Sequence, residues 1–303
     1  MTSPESGKIV PRIRKVPGLS SGYFLTYRIW LMFPVFGACF IAASLMVYTA
    51  GAMPSRSDYW MSQQELFIHI NHFLGYVPDL FWENITCLGD LAVLIGLVSP
   101  LLLFYPRAWA AIFTSIPAGV LFSTPLKHLL SIPRPAMVVD PGLFHIVGGT
   151  VTGYNSFPSG HTITVFAVAA AVLASVSGRF GRGRYWCYTP VLVLAVLVAI
   201  SRVAVGAHWP LDVVAGAVLG WLAGLSGAVI AHRYRFRLRA FTDTSNPKTK
   251  LGLILLLTLL SGALLLRQAV AGLWVFDLAA AAGLAVAMTM ILSMIKQNTA
   301  VAS

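Results

Sequence analysis

The stretch LDVVAGAVLGWLAGLSGAVI, residues 211–230, holds one charged side chain, Asp212, and that charge stands at its very beginning. An apolar run of about 18 residues or more is long enough to cross the hydrocarbon of a bilayer as a helix. Runs of similar character recur along the chain at Ile29–Tyr48, Ile85–Phe104, Ala108–Leu126, Thr162–Val176, Trp186–Val203, Leu251–Leu266 and Ala271–Met294. Backbone amides in lipid must be satisfied within the structure, and no alternating barrel pattern is present, so the spans are expected to be helices. The expected fold is therefore an all-α, polytopic membrane helix bundle of about eight spans.

Bulk composition agrees. Hydrophobic residues make up 57% of the 303 residues and charged residues only 10%, whereas a soluble domain carries about 25% charged residues. So few charges cannot clothe a water-facing surface. The net charge of +11 comes with no nucleic-acid-binding motif, and its placement in short segments between apolar runs points to membrane topology and anionic headgroups. Cys39, Cys87 and Cys187 lie in or beside apolar runs without close spacing. They read as small buried hydrophobes, not as a disulfide framework or a zinc site. The basic stretch with Lys8, Arg12, Arg14 and Lys15 precedes an apolar run without a clear small-residue cleavage site, so that run reads as a retained first span.

Charge asymmetry sets the orientation. With the N-terminus inside, the inner segments gather Lys8, Arg12, Arg14, Lys15, Arg28, Arg107, Arg179, Arg182, Arg184, Arg233, Arg235, Arg237, Arg239, Lys248, Lys250 and Lys296, and the outer segments only Arg56, Lys127, Arg134, Arg202 and Arg267. An even number of spans puts both termini in the cytoplasm. The expected division is a cytoplasmic N-terminal segment over 1–28, a membrane core over 29–232, a basic cytoplasmic loop over 233–250 and a two-helix extension over 251–303. The alternation of Arg233, Arg235, Arg237 and Arg239 with Tyr234, Phe236 and Leu238 reads as an anchor at an anionic inner leaflet. Between Pro54 and Asn84, apolar residues mix with Glu65, His69, His72, Asp79 and Glu83, and Pro78 interrupts. This reads as an interfacial amphipathic helix with a second short turn, and its histidines read as a headgroup-level face. Asn84-Ile85-Thr86 fits a glycosylation sequon, but a sequon at the start of a span carries little weight.

Three polar clusters interrupt this pattern, all on the expected outer face. Lys127 is followed after six residues by Arg134-Pro135. Pro158-Ser159-Gly160-His161 enters the fourth span. Ser201-Arg202 is followed after five residues by His208, and three more lead to Asp212. Each residue alone has a plain reading: a snorkelling anchor, a cap, an interfacial histidine. Together they put Lys127, Arg134 and Arg202 on one face beside hydrocarbon, where charge is expensive and marks function.

A small, highly charged anion matches such a set. The arginine fork suits phosphate oxygens, and lysine adds a point charge. The free N–H groups of a helix start favour an anion at Ser159 and Gly160, and Gly160 allows close backbone approach. His161, at the helix mouth, can protonate a leaving oxygen. Asp212, four residues beyond His208, can accept one imidazole N–H, fix the tautomer and leave the other nitrogen free to attack. That is the logic of a catalytic triad with histidine as nucleophile.

On these residues the chain resembles the type 2 phosphatidic acid phosphatase superfamily. Its three-part signature is filled at every position between Lys127 and Asp212. The resemblance implies a six-helix core, with His208 attacking phosphorus to form a phosphohistidine, Asp212 orienting it, and His161 protonating the departing oxygen and then activating water. Lys127, Arg134, Ser159, Gly160 and Arg202 would hold the phosphoryl oxygens. No metal and no cofactor are implied. The spans set the chain apart from soluble acid phosphatases and vanadate-dependent haloperoxidases in the superfamily, while glucose-6-phosphatases usually have more spans. The seventh and eighth spans depart from smaller members, and the eighth contains Asp277 as an intramembrane carboxylate.

The expected activity is hydrolysis of a lipid phosphate or pyrophosphate entering laterally from the bilayer, at the periplasmic face of a bacterial inner membrane. Undecaprenyl pyrophosphate, phosphatidylglycerol phosphate, phosphatidic acid and the 1-phosphate of lipid A are candidate substrates. A phosphotransferase that passes the group to another lipid, such as lipid A, shares the same signature. A binder or transporter of lipid phosphates with a vestigial site is a third reading, weakened by the intact His208 and Asp212. The sequence carries no signal of oligomeric state.

Overall fold

The computed structural model describes residues 56–176, 189–234 and 237–302. The expected first span, Ile29–Tyr48, lies outside them, as do the N-terminal basic stretch, Cys39, Cys187, Arg235 and the arginines at 179, 182 and 184. The described residues are helical, with no strands. In chain order the helices are α1 (Arg56–Leu74), α2 (Asp79–Cys87), α3 (Leu91–Val98), α4 (Leu101–Phe104), α5 (Pro106–Leu130), α6 (Gly160–Val176), α7 (Thr189–Ala204), α8 (Pro210–Arg233), α9 (Arg239–Thr242), α10 (Pro247–Ala271) and α11 (Trp274–Ala302). Among them α5, α8, α10 and α11 are long and apolar enough to cross a membrane, and α6 and α7 are shorter apolar helices. The chain is a polytopic, all-helical integral membrane protein.

The expected span Ile85–Phe104 is not one helix. It is divided among α2, α3 and α4, with α2 and α3 bent by 75°. The cause is local. Gly89 is a poor helix former, and Asp90 turns its side chain back to accept the amides of Ala92 at 2.8 Å and Val93 at 3.4 Å, so that a new helix starts there. Pro100 then removes an N–H from the continuation. Among the described residues the other expected spans correspond to α5, α6, α7, α8, α10 and α11; most extend beyond the expected bounds, while α11 starts later than expected, at Trp274. The basic loop expected over 233–250 is shorter than drawn, because α8 runs to Arg233 and α10 starts at Pro247 under an Asn246 cap. Asp277, expected inside the eighth span, sits in the first turn of α11 and is exposed. A carboxylate there offsets the positive end of the helix dipole.

The core is the packing of α6 against α8 and of α5 against both. Small residues permit it. A Cβ placed on Gly220 would stand 2.4 Å from the Ile163 carbonyl oxygen, and one on Gly224 2.2 Å from that of Ala167. Gly216, Gly220 and Gly224 are spaced by four, so they line one face of α8 and bring the two backbones into contact. Because α6 and α8 touch along their length and both begin beside Ser159 and Asp212, their N-termini lie at the same end of the bundle, with Ser159 N–H donating to the Asp212 carbonyl at 3.1 Å. The C-termini of α5 and α7 close that end.

The segment expected as an interfacial helix is α1, and it does more than lie on a surface. Asn71 is fully buried and donates to the carbonyls of His145, Val203 and Ala204 at 2.9 to 3.0 Å. Gln63 accepts the Leu211 amide at 2.8 Å. Phe67 packs edge-on against Trp209 and Phe144, with ring centroids 5.2 Å apart in each pair. Thus α1 is riveted across the ends of α7 and α8. His69 and His72 stay exposed, against the carbonyls of Glu65 and Leu143.

Candidate active site

The loop between α7 and α8 positions His208. The Arg202 carbonyl accepts the amides of both Ala207 and His208, at 3.1 and 3.2 Å. The chain reverses between them at Gly206, whose φ of +74° is in the region that favours glycine. His208 is 2% exposed and Asp212 fully buried.

Asp212 stands in the first turn of α8 and gathers donors from three parts of the chain. Its Oδ2 accepts the Ser156 hydroxyl at 2.6 Å and the Trp209 amide at 3.0 Å, and lies 3.3 Å from His208 Nδ1. Its Oδ1 accepts the Tyr59 hydroxyl at 2.8 Å. With Nδ1 turned to the carboxylate, the Nε2 of His208 faces the other way, 3.4 Å from the Arg134 guanidinium. Burial and the neighbouring Arg202, Arg134 and Lys127 push the His208 pKa well below the usual histidine value. The imidazole is therefore neutral and its Nε2 lone pair available. Burial and Asp212 hold the Tyr59 phenol well above its usual pKa, so it remains a donor.

The cations come from the ends of α5 and α7 and from the loop after α5. Arg134, in the loop after α5, is held by Asn155 Oδ1 at 2.9 Å and by the Ala207 carbonyl at 3.0 Å. Arg202 reaches Thr86 at the end of α2, and its buried Nε has no hydrogen-bond partner among the described residues. Lys127 Nζ lies over the start of α6, 3.9 Å from where a Cβ on Gly160 would stand. Among the described residues no ion pair with a carboxylate involves any of the three. Ser159 is buried at the same helix start, its hydroxyl oxygen accepting from Thr162 at 3.0 Å. His161 presses against the α2–α3 bend, where a Cβ on Gly89 would come within 2.6 Å of its own Cβ.

All eight residues singled out in the sequence therefore lie at one end of the α5–α8 bundle. The structure adds Tyr59, Ser156, Asn155, Thr86 and Gly89 around them. Of these, Asn155 and Ser156 had a visible signal, as a polar pair just before Pro158-Ser159-Gly160-His161. Tyr59 and Thr86 lie far away in sequence, without a motif. Among the described residues no group of His, Cys, Asp and Glu has the arrangement to hold a metal ion.

From His161 a cavity of about 280 Å³ runs between α3, α5 and α6. Its lining passes from Asp90 and Gly160 through Ser123 and Gly119 to Ala167.

Comparisons with known proteins place a family pattern over this region and find similar proteins. The PAP2 superfamily pattern matches residues 108–239. An undecaprenyl-diphosphatase of Sulfolobus acidocaldarius is 33% identical over 170 residues, which is 50% of this chain and 78% of that protein. A phosphatidylglycerophosphatase B of Bacillus subtilis is 31% identical over 149 residues, 46% of this chain and 68% of the relative. A lipid A 1-phosphatase of Rhizobium etli is 33% identical over 124 residues, covering 40% of this chain but only 50% of its own length. The matched pattern contains every residue from Lys127 to Asp212, and on this coverage the chain belongs to the PAP2 superfamily.

Proposed function

We propose that the protein is a membrane lipid phosphatase that hydrolyses a lipid or isoprenoid phosphate or diphosphate through a phosphohistidine at His208, without a metal. The observation that carries this reading is the charge imbalance at the site. Two buried arginines and a half-buried lysine surround a neutral histidine, and none has a carboxylate partner among the described residues. Buried charge is costly unless it is compensated, and a phosphoryl group supplies the missing negative charge. Preorganised donors of this kind stabilise charge in the transition state without reorganisation.

In the first step Nε2 of His208 attacks phosphorus, the N–P bond forms, and the P–O bond to the lipid breaks. Asp212 holds Nδ1–H and stabilises the positive imidazole. His161 gives its proton to the departing oxygen. In the second step His161 takes a proton from water, the hydroxide oxygen bonds to phosphorus, the N–P bond breaks and inorganic phosphate leaves. Lys127, Arg134, Arg202, Ser159 and the Gly160 backbone hold the phosphoryl oxygens throughout.

The relatives named above support a lipid diphosphate or a lipid-linked monophosphate as substrate. The arginines that follow α8 support an orientation with that end in the cytoplasm and the site on the opposite face, periplasmic in a bacterial inner membrane. The test is phosphate release by the purified chain from undecaprenyl diphosphate, phosphatidylglycerol phosphate, phosphatidic acid and lipid A, with and without EDTA, beside His208→Ala. Release that survives EDTA and is lost in the variant is expected. Release abolished by EDTA overturns the metal-free mechanism.

A further inference from the structure

The matched family pattern ends at residue 239, before α10 and α11, yet this hairpin is tied directly to the wall of the site. We propose that the α10–α11 hairpin braces the α2–α3 bend, and that Arg267 is a positioning residue acting through Asp90 on His161 and Arg202. The inference rests on the roles given to those two residues above.

The bend is where bracing is needed. Between Cys87 and Leu91 the helix is interrupted, and the two arms meet at 75°. Short turn hydrogen bonds join them, among them Gly89 N–H to the Thr86 carbonyl at 3.0 Å and Asp90 N–H to the Cys87 carbonyl at 3.0 Å. A helix would fix its own geometry; a turn of this kind leaves the angle to its surroundings. Nevertheless the bend makes two contacts with the site. Thr86 holds the Arg202 guanidinium, and the Gly89 backbone lies flush against His161. Any shift of the bend is a shift of both groups.

The hairpin grips it from the far side at three points. Arg267, near the end of α10, donates to Asp90 Oδ2 at 3.0 Å while its guanidinium stacks 4.7 Å from the centre of the Phe276 ring of α11. Asp90 uses its other oxygen to start α3, so one carboxylate joins the hairpin to the bend. The Val275 amide, a free donor in the first turn of α11, is taken by the buried Asn84 of α2 at 3.1 Å. Along α3, Gly96 lets the α11 backbone come close, a Cβ there meeting the Ala279 carbonyl oxygen at 2.7 Å. The ties therefore fall on both arms and on the corner.

The Arg267–Asp90 pair is partly open, with side chains 48% and 27% exposed. Pairs of this kind contribute little to global stability, so its removal separates positioning from folding. The experiment uses the full chain in detergent, carrying Arg267→Met, Arg267→Lys, Asp90→Asn or the pair Arg267→Met with Asp90→Asn. Asparagine keeps the helix cap. Loss of placement at a reacting group is expected to lower kcat for phosphate release by about 10- to 100-fold, leaving KM near the parent value. Lysine is expected to restore most of the rate, and the double variant to be no worse than either single one.

A second readout needs no turnover: with [15N]histidine labelling, the His161 imidazole signal is expected to move in Arg267→Met while that of His232, at the far end of α8, stays. An unchanged kcat in Arg267→Met, or an unmoved His161 signal, overturns the brace. A parent chain that releases phosphate from no lipid overturns the phosphatase reading instead, and the histidine signal still decides the brace.

Discussion

Tyr59 donates its hydroxyl to Asp212 across 2.8 Å, joining a helix outside the α5–α8 core to the carboxylate behind His208. The bond has a consequence for the whole site. Asp212 is fully buried and its Oδ2 is already shared by Ser156, Trp209 and His208. Tyr59 provides a donor to Oδ1, which favours the charged form of the carboxylate and holds its orientation toward Nδ1.

Removing these donors is expected to slow turnover in order of their directness. A hydrogen bond to a charged group is worth about 1.5–3 kcal/mol. Tyr59→Phe leaves Oδ1 without its tyrosine donor, and kcat is expected to fall by about 10- to 100-fold on that energy. Ser156→Ala, at 2.6 Å from the oxygen nearest His208, is expected to cost at least as much. Steady-state phosphate release decides both, and an undiminished kcat in Tyr59→Phe would remove the tyrosine from the account.

Asp212→Asn tests the tautomer. An amide can present its NH2 to Nδ1, which then places the ring proton on Nε2 and blocks attack. In a serine hydrolase triad the corresponding change lowers kcat about 10⁴-fold, and a loss of that order is expected here. His161→Ala is expected to act on the second step when the leaving group is a good one, as with a diphosphate. Rapid quench into alkaline detergent after a ³²P-labelled diphosphate should therefore leave more base-stable, acid-labile label on His161→Ala than on the parent chain, and none on His208→Ala.

The depressed pKa of His208 predicts two pH effects of one sign. In the free enzyme the imidazole remains unprotonated as pH falls through its ordinary value of about 6.5, so the His208 contribution to the acid limb of kcat/KM is expected well below that value. For folding, the unfolded chain takes up the proton near 6.5 and the native chain does not. Stability from this group is therefore present above about pH 6.5 and is lost progressively as pH drops from there toward the native pKa. His208→Gln is expected to flatten this part of the pH dependence of the unfolding temperature between pH 7.5 and 5. An equal slope in both chains would contradict it.

Gly224→Val is expected to impair the site from a distance. A Cβ on Gly224 meets the Ala167 carbonyl oxygen at 2.2 Å, and neither backbone can yield without parting α6 from α8. Overpacking of this kind costs about 1–3 kcal/mol. The unfolding temperature should fall, and kcat with it, because the Ser159–Asp212 link at the shared helix start is strained. Gly252→Val, where no atom lies within 4 Å of the added carbon, serves as the control expected to change neither.

The sequence by itself determined the membrane class, the apolar helices among the described residues other than the stretch broken at Gly89, and the pairing of His208 with Asp212. It could do so because these are short-range properties. Lipid leaves a polar backbone no alternative to the helix, and a separation of only four residues keeps His208, in the loop just before α8, within reach of Asp212 in its first turn. The eight polar residues were legible as a set for the same reason, since each cluster sits at the end of an apolar run whose direction the charges indicate. Tertiary structure alone decided that Tyr59 and Ser156 hold Asp212, that Thr86 meets Arg202, and that Arg267 reaches Asp90 across 177 positions of chain. No periodicity encodes these pairs. They depend on which faces of separate helices meet, and that is set by the glycines of α8, the break after α2 and the rivets of α1, each of which acts only once the bundle has formed.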